Sequence, residues 1–125
     1  MLRDFLFVMI GGALGAALRY ATALLTNGFR LLTLPVGTLV VNLLGCILLG
    51  LLTGLAERHA AIPRHTMLLL TTGLCGAFTT FSTFSAETIK ALEGGQTLAA
   101  ILYVAVSVVV GLLLFWAAKS LAVGL

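Results

Sequence analysis

"GLCGAFTTFSTF", residues Gly73 to Phe84, interrupts a chain made mostly of Leu, Val, Ala and Ile with small residues, hydroxyls and phenylalanines. Thr71, Thr72, Gly73, Gly76, Thr79, Thr80, Ser82, Thr83 and Ser85 fall within about four helical turns of one another. A continuous helix could absorb them by bonding each hydroxyl to the carbonyl one turn earlier. Against that stand Gly73 and Gly76 followed by the β-branched pair Thr79 and Thr80, a combination of low helix propensity. The composition therefore predicts a helix broken near residues 76–79. Non-helical backbone at membrane depth is tolerated only where it is buried in protein or lines a polar cavity. Its freed carbonyls are hard oxygen ligands that suit a monovalent cation such as Na⁺, because the nearest carboxylate, Glu87, lies two turns further on.

The surrounding chain explains why membrane depth is the right frame. Of 125 residues, 61% are hydrophobic and only 9% charged, and the mean hydropathy is +1.20, which leaves no material for an ordinary soluble surface. A bilayer span needs about 20 mainly apolar residues, and four segments qualify, at approximately 4–26, 35–57, 64–90 and 97–121. The connections "NGFRLLTL", "RHAAIP" and "EGGQ" are short and carry turn residues, so neighbouring spans run antiparallel. Pro35 suits the first turn of the second helix, and Glu93 with Gly94 and Gly95 ends the third. The expected fold is a single all-α domain of four transmembrane helices with the third broken near the bilayer midplane. The first apolar run is too long for the core of a signal peptide and leads into Arg19 rather than a cleavage site, so it is expected to stay as a helix.

Four spans put Arg3, Arg58, Arg64 and Lys119 on one side, against Arg30, Lys90 and a snorkelling Arg19 on the other. Basic residues so evenly divided give almost no preferred orientation, which permits insertion both ways up. The formal net charge of +3 sits near helix ends, and no basic run is interleaved with exposed aromatics, so nucleic acid is not an expected partner. Cys46 and Cys75 fall within apolar segments and read as small packing residues. Gly11 with Gly15, and Gly50 with Gly54, form GxxxG spacings that let helix backbones approach closely. Such faces serve packing within one subunit or between two, and so small a bundle favours a homodimer.

Polar residues at depth single out further candidates. Thr38, Asn42, Gly45, Leu49 and Thr53 share one face of the second helix. The Asn42 amide must find a partner, either across a helix interface or in an anion to which its NH₂ group donates. Tyr103 and Ser107 lie one turn apart on the fourth helix and offer two further hydroxyls. Phe81, Phe84, Ser85 and Thr88 form one stripe after the break, and Thr79, Ser82, Thr83 and Ala86 another. Paired phenylalanines are commonly plain packing. Their positive ring edges could also line a passage for an anion while offering nothing to a cation.

"GGALGAALRY" (Gly11 to Tyr20), "GTLVVNLLGC" (Gly37 to Cys46) and "GLCGAFTTFSTF" resemble the three signature stretches of the Fluc, or CrcB-type, fluoride channels, in order and over the whole chain. The resemblance implies an antiparallel, dual-topology homodimer in a cell membrane, with a bacterial inner membrane expected. It would conduct fluoride passively along two pores and so lower cytoplasmic fluoride. It implies Phe81 and Phe84 as pore phenylalanines and Asn42 as the polar-track asparagine, with Thr38, Ser82, Thr83, Tyr103 and Ser107 beside them. Arg19 is implied at the anionic vestibule and Glu87 near one pore mouth. At the dimer centre the carbonyls of Gly76 and Thr79 would enclose a structural Na⁺. The chain departs from the pattern at Ala77, where many members carry a second glycine.

Three other readings fit less well. A small multidrug-type exporter, also an antiparallel four-helix dimer, would be expected to carry a carboxylate at depth in the first helix, yet Asp4, Glu57, Glu87 and Glu93 lie towards segment ends. A non-catalytic assembly subunit needs only the GxxxG faces and leaves the broken helix without a use. An intramembrane hydrolase needs a base beside its serine, and His59 and His65 flank the short second loop, away from Ser82 and Ser107. An enzyme is therefore not expected.

Overall fold

The computed structural model describes residues 1–58 and 62–124, so His59 lies outside the described residues. Helix α1 covers Leu2–Leu25 and α2 covers Val36–Arg58. The third span, Arg64–Glu93, comprises α3 (Arg64–Leu68), a π-helical stretch (Leu69–Cys75), α4 (Gly76–Phe78) and α5 (Phe81–Glu93). Helix α6 covers Thr97–Gly124. All four spans are long and apolar enough to cross a bilayer. Large apolar side chains such as Phe5, Met9, Leu112 and Trp116 face outward, where lipid rather than water is the solvent. The protein is a multi-pass membrane protein.

Between α1 and α2 the chain does more than turn. Gly28, at φ +91°, reverses it, and β1 (Arg30–Leu31) pairs antiparallel with β2 (Leu34–Pro35), Arg30 opposite Pro35 and Leu31 opposite Leu34. Pro35, expected in the first turn of α2, instead closes this two-rung ladder, and α2 begins one residue later. A proline lacks the N–H that an inner strand would use, so the end of an edge strand accommodates it.

The two GxxxG pairs both pack within the chain. A Cβ on Gly11 would strike the Leu69 carbonyl and one on Gly15 the Leu74 carbonyl, so α1 lies directly on the backbone of the π-helical stretch. Gly50 and Gly54 similarly let α2 reach the Phe115 and Lys119 carbonyls of α6. Backbone contact of this kind replaces the hydrophobic drive that lipid cannot supply. The charges then sort by end. Asp4 pairs with Arg64 at 3.6 Å, Glu57 with Lys119 at 2.7 Å, and Arg58 donates to the Val123 carbonyl at 3.3 Å. At the opposite end Thr33 donates to Gln96 Oε1 at 2.5 Å, joining the first and third loops.

The break in the third span differs from the expected one. Gly76 is helical (φ −62°, ψ −36°), and the helix continues through Phe78. Only Thr79 (φ −80°, ψ 159°) and Thr80 (φ −151°, ψ 113°) are extended. The glycines do not unwind the helix. Gly73 is buried against the Val8 carbonyl and the Gly11 Cα, where a side chain would not fit. The β-branched pair alone marks the interruption, and Ala77 sits half-buried inside α4.

Candidate functional site

The site forms where α2 meets the interruption. Asn42 of α2 engages both polar atoms of the Thr80 peptide: its Oδ1 accepts the Thr80 N–H at 2.8 Å, and its Nδ2 donates to the Thr80 carbonyl at 3.1 Å. A broken strand of backbone in an apolar span is thereby satisfied by one side chain. Gly45, one turn further along α2, leaves the space that the Thr79 methyl fills. The Thr80 hydroxyl caps α5, accepting the Thr83 N–H at 3.2 Å and donating to Thr83 Oγ1 at 2.9 Å, with Ser82 Oγ 3.4 Å away.

From this cap an aromatic series runs along α5 towards α6. Phe81 and Phe84 have ring centroids 5.8 Å apart and Phe84 and Tyr103 5.2 Å, tilted by 44° and 43°. Such tilted pairs bring the positive edge of one ring towards the negative face of the next. Phe84 and Tyr103 belong to the core with Leu39, Leu43, Ala91 and Ala100. Phe81, by contrast, is 79% exposed.

Beyond the rings, Glu87 has both carboxylate oxygens occupied. Thr38 donates to Oε1 at 2.8 Å and Tyr103 to Oε2 at 2.7 Å, so three helices converge on one carboxylate. Thr38 and Tyr103 are both buried. Ser107, one turn along α6 from Tyr103, has a buried hydroxyl without a hydrogen-bond partner.

Three cavities collect these residues. One of about 330 Å³ is lined by Asn42, Gly45, Gly76, Thr79, Thr80 and Phe81. A second, about 270 Å³, has Arg19 across from Thr38, Thr80 and Thr83. A third, about 470 Å³, opens at the loop end with Arg30, Glu87, Lys90 and Gln96 on its wall. The candidates thus fall into two connected groups. Asn42, Gly76, Thr79 and Phe81 surround the break, while Thr38, Phe84, Glu87 and Tyr103 cluster one to two turns away. Thr80 borders both the Asn42 cavity and the Arg19 cavity, and Thr83 borders the latter. Glu87 borders the open loop-end cavity, but its carboxylate is held from behind by two hydroxyls.

Two features escaped sequence reasoning. Thr80 was part of the β-branched pair yet not a site residue, although a threonine directly before an apolar-periodic run is a helix-start signal. The convergence of Thr38 and Tyr103 on Glu87 has no signal within any one helix. Among the described residues no cluster of His, Cys, Asp and Glu could hold a metal. His65 packs on Phe7, ring centroids 4.7 Å apart, rather than beside a serine. The arrangement offers hydrogen-bond donors, ring edges and backbone carbonyls, which suit passage or binding of an ion.

A family described as "CrcB-like protein, Camphor Resistance (CrcB)" matches residues 6–119. Among curated relatives, a protein of Flavobacterium psychrophilum named fluoride-specific ion channel FluC is 42% identical over 92% of this chain and 93% of its own length. One of Idiomarina loihiensis with the same name is 40% identical over 97% and 93%. A third, fluoride-specific ion channel FluC 1 of Streptomyces avermitilis, is 45% identical over 87% of each. With a match across nearly all of its length and relatives of this similarity, the chain belongs to the CrcB family.

Proposed function

We propose that the protein is a fluoride-selective channel that lets fluoride leave the cell down its gradient, and that two copies assemble antiparallel to form it. The observation that carries the reading is the placement of Phe81. A phenylalanine 79% exposed on a single chain, in register with Phe84 and beside the hydrogen-bonded Asn42–Thr80 pair, is half of a passage whose other wall a second copy supplies. The names of the relatives point to the same ion.

Fluoride is small, strongly hydrated and a potent hydrogen-bond acceptor, so it enters a dry passage only where donors and positive dipole edges replace its water. The second amide hydrogen of Asn42 and the hydroxyls of Ser82 and Thr83 supply donors, and the edges of Phe81 and Phe84 supply dipole. Arg19 gathers anions at its cavity without entering the narrow part. No bond is made or broken.

A Na⁺ at the dimer centre, held by Gly76 and Thr79 carbonyls, fits the backbone. In a continuous helix the Thr80 N–H would go to the Gly76 carbonyl and the Thr83 N–H to that of Thr79. Both are committed elsewhere, to Asn42 Oδ1 and to Thr80 Oγ1. Gly76 is also on the outer side of the chain, and an added Cβ would meet nothing nearer than the Thr71 carbonyl at 3.7 Å. The cation would contribute positive charge to the centre of the assembly.

The test is efflux from liposomes carrying the purified protein. Fluoride should leave rapidly, and chloride should remain. Equal chloride flux, or fluoride retention by well-folded dimers, overturns the assignment. Tagging the C-terminus should reveal it on both faces of the membrane.

A further inference from the structure

We infer that Asn42 is a positioning residue for the central cation as well as a wall of the anion passage, and that it acts by taking the Thr80 N–H away from the Gly76 carbonyl. This rests on the channel reading and its central cation.

Helical bonding ahead of the interruption ends with the Thr79 N–H, which donates to the Cys75 carbonyl at 3.0 Å. The next N–H, that of Thr80, reaches Asn42 Oδ1 at 2.8 Å. Were it returned to its helical partner, its positive hydrogen would occupy the space in front of the Gly76 carbonyl in which a cation must sit. The Asn42 Nδ2, donating to the Thr80 carbonyl, fixes the amide in the orientation that keeps Oδ1 turned to the N–H. Thr80 repeats the device one turn on. Its hydroxyl takes the Thr83 N–H and leaves the Thr79 carbonyl free. The Thr79 hydroxyl is turned back to the Cys75 carbonyl at 3.0 Å, so Thr79 offers the cation its carbonyl alone.

The Asn42 amide is thereby divided. Its oxygen and one hydrogen hold the break, and its second hydrogen remains for the passage. Cation binding and anion passage consequently share a side chain.

The experiment is thermal unfolding of the purified dimer in fluoride-free solution. Na⁺ is titrated against N-methyl-D-glucamine at constant ionic strength, so the pore contributes nothing to the readout. The wild-type midpoint should rise with Na⁺. In Asn42→Ala the Na⁺ concentration giving half of that rise should increase about tenfold. Asn42→Asp, which keeps the acceptor for the Thr80 N–H but loses the donor to its carbonyl, should fall between wild type and Asn42→Ala. If Asn42→Ala yields no dimer, Thr80→Val decides, because loss of its hydroxyl cap should weaken Na⁺ about fivefold. A Na⁺ dependence unchanged in Asn42→Ala, or in Thr80→Val where that variant decides, overturns the inference, as does equal weakening in Asn42→Asp and Asn42→Ala. A wild-type midpoint indifferent to Na⁺ overturns it together with the central cation. Absent fluoride flux with Na⁺ dependence intact would instead reject the channel reading alone.

Discussion

The α2–α6 pair and the third span use similar residues to opposite ends. Both contain glycines spaced for close approach and threonines at membrane depth. In α2, Thr53 bonds back to the Leu49 carbonyl at 2.7 Å and does nothing further, while Gly50 and Gly54 lay the helix on α6. In the third span, Thr71 behaves the same way, donating to the Met67 carbonyl at 2.7 Å. At the interruption the Thr80 and Thr83 hydroxyls turn to each other instead, and Asn42 takes the Thr80 peptide. A threonine in an intact helix finds its partner one turn back and is silent. Once the backbone stops offering that carbonyl, the same hydroxyl becomes a cap or a ligand.

The contrast can be broken most severely at its rigid side. Gly54→Leu would drive a side chain into the Lys119 carbonyl and the Ala122 Cβ. Overpacking there should cost about 3 kcal/mol and remove the folded species on size-exclusion chromatography. Tyr103→Phe comes next, because it leaves one oxygen of the Glu87 carboxylate without its donor. A loss of about 2 kcal/mol in unfolding free energy is expected. A smaller effect, about tenfold in fluoride flux or 1.4 kcal/mol in barrier, is expected for Phe81→Ile and Phe84→Ile with assembly preserved. Unchanged flux in both would return these rings to packing. Thr53→Val should be nearly silent, within about 0.5 kcal/mol and without effect on flux. A large loss there would remove the distinction between threonines in intact and interrupted helices.

Length and apolarity were enough to read the four spans and their antiparallel order, because a bilayer imposes both. The interruption was legible from Thr79 and Thr80, whose branched side chains disfavour a helix. Its start was misread because a glycine serves equally to unwind a helix or to admit a neighbour, and only the neighbour distinguishes the two. Gly73 has Gly11 against it. For the same reason the GxxxG spacings announced close contacts without naming α6 or the π-helical stretch as partners. The β1–β2 ladder was invisible, since two-residue strands carry no alternation. Asn42 was legible as a side chain that must have a partner, but the Thr80 peptide, 38 positions away in sequence, could be found only in three dimensions.

The π-helical stretch Leu69–Cys75 carries a residue more than an α-helix of the same rise, because its bonds reach from i to i+5. One extra residue shifts everything downstream by about 100° around the axis. A helical wheel drawn from Arg64 to Glu93 with one period is therefore out of phase across its own middle. A single deletion inside the stretch could be absorbed by its reverting to α-helix, whereas one in the α-helical turns on either side would swing Phe81, Phe84 and Glu87 off their present azimuths. For this span the quantity to preserve is the number of helical turns between Gly11's contact and Asn42's, more than the count of residues that make them.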